Sequence, residues 1–201
     1  AGSSRMGHET INEAIKSARE DKEIKAIVMR IDSPGGSVFA SDQMWREVLK
    51  TTEEDSSNVK PFIASMSDFA TSGGYYIACQ ADTIIASPVT ITASIGVFWW
   101  RPNFSQLGNR FGINTKWIIK EGEHSDFYTG ARLFNEYEKV KIQSAVDEVY
   151  LNFKEKIING RENINETDDL DQVAMGRVFT GNRAKDGISI PLVDVTGSFN
   201  D

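Results

Sequence analysis

Thiol and imidazole are nearly missing from this chain, and their scarcity removes whole classes of chemistry. In 201 residues there is one cysteine, Cys79, and there are two histidines, His8 and His124. A single cysteine closes no internal disulfide, and two distant histidines offer no metal-ligand spacing, so neither a disulfide scaffold nor a metal centre is expected. No motif asks for a cofactor, and the redox compartment stays open. Basic residues are also in deficit, 22 against 29 acidic for a net charge of −7, and no basic cluster is interleaved with aromatics. A nucleic-acid partner is therefore not expected. No run approaches the roughly 20 apolar residues that span a bilayer, and no signal peptide is visible. Any membrane attachment is expected from a segment outside this stretch.

What is present reads as a soluble globular chain, 40% apolar and 25% charged. A chain of this length can bury roughly 70% of its unfolded surface in one core, so a single domain over residues 1–201 is expected, with residues 1–7 small, polar and mobile. Ile11, Ala14, Ile15 and Ala18 recur at helical spacing between Glu9 and Asp21. A strand follows at Glu23 to Ile31, then the turn Asp32-Ser-Pro-Gly-Gly-Ser37, then a helix from Val38 to Glu53. Lys60 to Met66 reads as a buried strand and Tyr75 to Ala81 as a helix. Asp82–Ala86 and Thr92–Phe98 read as strands, Phe104–Phe111 as a short helix, Thr115–Ile119 as a strand. Leu133 to Ile158 has the longest helical pattern, with a stripe of Val140, Ile142, Val146, Val149, Tyr150, Phe153 and Ile157. Val178–Ile188 and Pro191–Val195 close the chain. Such alternation of strand and helix predicts an α/β fold with a largely parallel sheet. Both Gly-rich turns then fall at strand C-terminal ends, the edge where open α/β sheets bind ligands.

Ser72 is the candidate around which these elements are arranged. It stands at the strand-to-helix turn of Met66-Ser-Asp-Phe-Ala-Thr-Ser-Gly-Gly-Tyr-Tyr76. Unpaired amides at such a turn could receive the oxyanion formed when the hydroxyl attacks a carbonyl. The plainer alternative is that Ser72 caps the helix and the glycines only tighten the turn.

Four stretches in order, Arg30-Ile-Asp-Ser-Pro-Gly-Gly-Ser37, Ser67 to Tyr76, Thr92-Ala-Ser-Ile-Gly96 and Gly176-Arg-Val-Phe-Thr-Gly181, resemble the signal peptide peptidase A family of serine proteases. The resemblance runs from about Gly7 to Phe199. It implies the Clp protease and crotonase fold, a spiral of strand-strand-helix units. It implies a Ser/Lys dyad with Ser72 as nucleophile, the amides of Gly36 and Gly73 as oxyanion donors, and Ser94 orienting the lysine. It further implies hydrophobic peptides such as cleaved signal peptides as substrates, a homo-oligomer, and membrane association on the extracytoplasmic side, or at the thylakoid in a plastid. Ala93 stands where the family usually has glycine.

The base is where this chain departs from the pattern. Short bacterial members carry the lysine in a segment like Gly-x-His-Lys-Asp, and the matching residues are Gly122-Glu-His-Ser-Asp126, with Ser125 at the lysine position. Long members join two homologous halves, the serine coming from the second and the lysine from the first, and this chain looks like such a serine-bearing half. Otherwise Ser125 marks a natural or engineered loss of the base, or Lys116, Lys120 or His124 takes its place. The lysines read more simply as solvated strand ends and His124 as an exposed loop residue, with Asp126 its only adjacent carboxylate. Three functions remain: a peptidase, an inactive peptide-binding half, and a crotonase-type acyl-thioester enzyme, which needs no serine at position 72. Phe98, Trp99 and Trp100 line a groove or subunit contact, or belong to the core.

Overall fold

The computed structural model describes residues 7–54, 57–113, 122, 124–130, 132–162, 164 and 170–198. They form two compact units, one of residues 1–96 with 150–201 and one of Val97–Val149. The predicted strand at Thr115–Ile119 lies outside the described residues.

In the larger unit α1 (His8–Glu20) leads to β1 (Ile27–Ser33), then α2 (Val38–Leu49), which ends in a π-helical turn at Lys50–Glu54. β2 (Phe62–Thr71), α3 (Gly73–Ala78), β3 (Thr83–Ala86) and β4 (Ile91–Ala93) follow. The smaller unit holds α4 (Ser105–Arg110), and after it come β5 (Val178–Thr180), α6 (Gly181–Asp186) and β6 (Val195–Thr196). Ser37 starts α2 because its hydroxyl accepts the Ala40 N–H, and Thr180 starts α6 by accepting from Arg183.

β2 is the axis of the sheet. β1 runs parallel along one side, from Ile27 opposite Phe62 to Ser33 opposite Ala70, with an irregularity between Ile31 and Ser33. On the other side β3 pairs with Ile63–Met66 and β4 with Phe69–Thr71, both parallel. β6 joins β3 in parallel, and among the described residues only β5 runs antiparallel, against β4. The largely parallel sheet expected from the alternation is thus present. Its core contains Phe62, Ala64, Met66, Tyr75, Ile84, Ile95, Leu170 and Leu192, all essentially buried.

Several strand ends differ from the sequence expectation: β1, expected from Glu23 to Ile31, runs from Ile27 to Ser33. β2 continues past Met66 to Thr71, because Ser67 and Asp68 cross the gap where one partner strand leaves and the next joins. β4 stops at Ala93 instead of reaching Phe98, because Ala93 and Ser94 both turn into positive φ, at 68° and 53°.

α5 (Glu136–Gly160) is the longest helix. Its expected apolar stripe holds only in the second half, where Phe153 and Ile157 are buried and Phe153 packs on Tyr76 with ring centroids 4.6 Å apart. In the first half Val140 is 62% exposed. At the other end, a Cβ at Gly160 would lie 2.4 Å from the Cys79 carbonyl oxygen. Alanine in a helix is ordinarily favoured over glycine by about 0.8–1.0 kcal/mol, but overpacking against fixed backbone costs about 1–3 kcal/mol. Gly160→Ala is therefore expected to destabilise the protein, by about 1–2 kcal/mol in urea denaturation; a stabilised variant would mean that the α5 end lies farther from Cys79.

Candidate active site

Ser72 sits between β2 and α3 in a backbone conformation that side-chain-bearing residues avoid, φ 50° and ψ −115°. Such strain costs about 1–3 kcal/mol and persists only where neighbours hold the chain in place. Here they do so from both sides. The Ser72 N–H donates to the Ala93 carbonyl at 2.8 Å, and the Ser72 carbonyl accepts the Tyr76 N–H at 2.8 Å. The side chain forms no capping bond to α3, so the helix-cap alternative does not describe it. Among the described residues no group bonds the Ser72 hydroxyl, which is half-buried.

The loop after β1 closes on the same turn. Gly35 has φ 108°, and a Cβ built on it would lie 2.8 Å from Ser72 Cβ and 3.0 Å from the Gly73 nitrogen. A Cβ on Gly73 would lie 3.2 Å from the Gly36 nitrogen and 2.4 Å from Ser41 Oγ. Both positions therefore require glycine for close approach, and the Gly36 amide lies beside the Gly73 α-carbon. Among the described residues neither the Gly36 nor the Gly73 amide has an acceptor, whereas the Gly35 N–H donates to Ser33 Oγ at 3.2 Å. Ser41, which the sequence did not single out, is buried behind Gly73 and donates its hydroxyl hydrogen bond to the Ser37 carbonyl at 3.0 Å.

Ser94 joins this group through the sheet. Thr71 pairs with Ala93, so the residue after each, Ser72 and Ser94, leaves the sheet edge together. Ser94 N–H is held by the Arg177 carbonyl at 2.7 Å. Among the described residues the non-glycine positions with positive φ are Ser72, Ala93, Ser94 and Met175. All four belong to this neighbourhood, since the residue after Met175, Gly176, donates its N–H to the Ile95 carbonyl at 2.8 Å. Clustered strain of this kind is characteristic of functional sites.

Among the described residues no lysine of its own unit hydrogen-bonds Ser72, and the partly buried Lys156 pairs with Asp42 at 3.1 Å. The two buried lysines there are committed: Lys60 donates to the carbonyls of Ala18 and Asp21 at the end of α1, and Lys154 pairs with Asp171 at 2.9 Å. Cys79, the other conceivable nucleophile, is fully buried, and burial pushes its thiol up to about 12. Among the described residues no group of three or more His, Cys, Asp or Glu side chains could hold a metal. A cavity of about 700 Å³ opens at the opposite, N-terminal edge of the strands, between Asp82, Arg161 and Asp194. Those carboxylates are occupied, Asp82 by the Phe62 N–H, Asp194 by the Ile84 N–H and Arg161.

In the smaller unit Ser125 is exposed, and its amide faces the Gly122 carbonyl at 3.5 Å. Lys116 and Lys120 lie outside the described residues. His124 corrects the sequence expectation, because its carboxylate partner is not the adjacent Asp126. His124 Nδ1 lies 2.9 Å from Glu138 Oε1, and the ring stacks on Tyr137. Asp126 and Glu138 both bind Arg132. Glu138 also accepts the Asn135 N–H while Asn135 Oδ1 accepts the Glu138 N–H, a reciprocal helix cap written in the sequence as Asn135-Glu-Tyr-Glu138. Trp99 packs on Phe127 and Phe134 beside this network, whereas Phe98 and Trp100 are 82% and 72% exposed. The core alternative therefore fails for those two.

Hydrogen bonds from Arg132 hold the Glu138 and Asp126 carboxyls below the usual carboxylate range, and for Glu138 this outweighs burial. Both stay ionised when folded at pH values where the unfolded chain takes up protons, so their stabilisation is complete above about pH 4.5 and is lost as pH falls below it. Melting temperatures across the acid range should show that decline. Glu138→Gln should lower stability at neutral pH and flatten the acid limb; an acid limb parallel to wild type would remove Glu138 from this role.

Residues 54–201 match the profile of Peptidase family S49. The chain is 39% identical over 193 residues to Serine protease SPPA, chloroplastic, of Arabidopsis thaliana, covering 96% of this chain and 27% of that protein. It is 34% identical to Protease 4 of Haemophilus influenzae, covering 97% of this chain and 30% of the relative. It thus spans less than a third of the length of either. Among solved structures, the ClpP1 N165D mutant from Listeria monocytogenes superposes with a TM-score of 0.57 at 11% identity, over 95% of this chain and 84% of that one, which establishes a ClpP-like fold. With the family match covering most of its length, the chain belongs to peptidase family S49.

Proposed function

We propose that this chain is the serine-bearing half of a Ser/Lys peptidase that cuts hydrophobic peptides such as cleaved signal peptides. The observation that carries the reading is the strained Ser72, with its uncommitted hydroxyl set against the Gly35–Gly36 loop. In this reading a neutral lysine from another half or subunit takes the Ser72 proton as Oγ attacks the peptide carbonyl carbon. The amides of Gly36 and Gly73 receive the developing oxyanion, a contribution of about 10²–10³ in rate per donor. Collapse breaks the C–N bond, the departing amine takes the proton from the lysine, and water then hydrolyses the acyl-serine. Ser94 orients the lysine. The crotonase-type alternative leaves Ser72 without a purpose for its strain.

The source of the base is the second part of the proposal. Ser125 offers only a hydroxyl, and the buried lysines of the Ser72 unit are already paired. Losing a general base typically costs about 10²- to 10⁴-fold. This chain alone is therefore expected to hydrolyse a hydrophobic peptide ester at least about 10²-fold more slowly than an assembly that supplies lysine, and in that assembly a fluorophosphonate labels Ser72 and not the Ser72→Ala variant. Rapid hydrolysis by the chain alone, abolished by Ser72→Ala, would show a resident base, with His124→Ala and Lys120→Ala the next variants to measure. An assembly that is inert and unlabelled would favour the peptide-binding half without catalysis.

Self-association belongs to the same reading, because Phe98 and Trp100 expose large rings two residues apart in sequence. Sedimentation is expected to show an oligomer that weakens in Phe98→Ser with Trp100→Ser. A monomer cleaving at full rate would refute the need for assembly. Among the described residues no helix is long and apolar enough to cross a membrane, so membrane attachment would reside in sequence beyond this stretch.

A further inference from the structure

The turn from Asp171 to Arg177 is bonded to the segment carrying Ser94 on both of its sides. Arg177 O accepts the Ser94 N–H at 2.7 Å, and Gly176 N–H donates to Ile95 O at 2.8 Å. The backbones touch, since a Cβ on Gly96 would lie 3.0 Å from the Gly176 α-carbon and nitrogen. Val178 then pairs with Ala93, whose carbonyl anchors the Ser72 amide. Wherever this turn stands, Ser94 and Ala93 stand with it.

The turn is itself held by side chains that touch no reacting group. Met175 and Gly176 lie at φ 58° and 74°, a left-handed pair that methionine does not adopt unaided. Arg177 Nη1 donates to the carbonyls of Asp171 and Ala174, at 2.9 and 3.1 Å. From α5, the Tyr150 hydroxyl accepts the Met175 N–H at 3.1 Å and donates to Asp171 Oδ1 at 3.0 Å. The Lys154 ammonium holds the Asp171 carboxyl below its ordinary value, and burial raises the Tyr150 phenol, so the direction of that hydrogen bond is fixed.

We propose that Tyr150 and Arg177 are positioning residues for the Ser72 centre, acting through the 171–177 turn to set where Ser94 and the Ala93 carbonyl stand. The inference rests on the reading of Ser72 as nucleophile and Ser94 as the residue that orients the base. A loss of registration of about 1 Å can cost up to 10²-fold even from residues remote from the chemistry. It falls on turnover more than on binding, because substrate contacts remain.

The test uses the full catalytically competent assembly and a peptide ester. Tyr150→Phe keeps the ring and removes both hydroxyl contacts; Arg177→Met keeps the chain length and removes the guanidinium; Arg177→Lys restores one donor. Expected for Tyr150→Phe and Arg177→Met is a fall in kcat of about 10- to 100-fold with KM within about twofold, partly recovered in Arg177→Lys. Faster amide hydrogen exchange at Ser94 should accompany it. Unchanged kcat per fluorophosphonate-titrated molecule, with only a lower melting temperature, would make the turn merely structural and overturn the proposal. If wild type is not labelled at Ser72, the nucleophile reading fails by itself, and the proposal falls with it; Ser94 exchange unaltered by Tyr150→Phe would overturn the turn's hold on that segment in either case.

Discussion

The hydrogen bond from the Ser72 amide to the Ala93 carbonyl is the constraint on which the site depends. A backbone bond of this kind contributes about 0.5–1.5 kcal/mol net, while the Ser72 conformation costs about 1–3 kcal/mol. One bond is therefore not enough. The difference is made up by everything that closes on the turn: the Tyr76 amide on the Ser72 carbonyl, the Gly35 backbone against Ser72 Cβ, and a helix, α3, all of whose residues are buried.

This dependence explains the shape of the sheet. β2 must be long enough to pair with β3 over its first half and with β4 over its last three residues, because only β4 brings Ala93 to Ser72. The polar pair Ser67 and Asp68 reads as loop in the sequence because it spans the gap between those partners. The short apolar run from Lys60 to Met66 therefore predicted the strand but not its length. Ala93 is a similar case. Its φ of 68° is one that glycine adopts freely, which gives a physical reason for the glycine that the family pattern carries there.

Legibility ended where long-range polar contacts take over. The order of elements, the parallel sheet and the meeting of both Gly-rich turns follow from local pattern, and the structure has them. Glu138 does not. It is 1% exposed at the start of a helix whose apolar spacing marked Val140 for burial, and Val140 is exposed. What buries Glu138 is Arg132, His124 and Asn135, and only the Asn135 cap has a recognisable spacing. The pairing of Lys154 with Asp171 across 17 residues is equally silent in sequence.

The contacts around Ser72 bear on how a serine half could wait for its base. Every contact named above that holds Ser72 in its conformation comes from within the Ser72 unit, and none involves a lysine. On the proposed reading the nucleophile and its oxyanion donors are therefore organised before the base arrives. A serine hydroxyl without a neighbour to take its proton is a weak nucleophile, so prior organisation alone releases little activity. Supplying the lysine from elsewhere then changes the reaction rate without rebuilding the serine side, because the strain there is already balanced by the sheet, the glycine loop and the 171–177 turn.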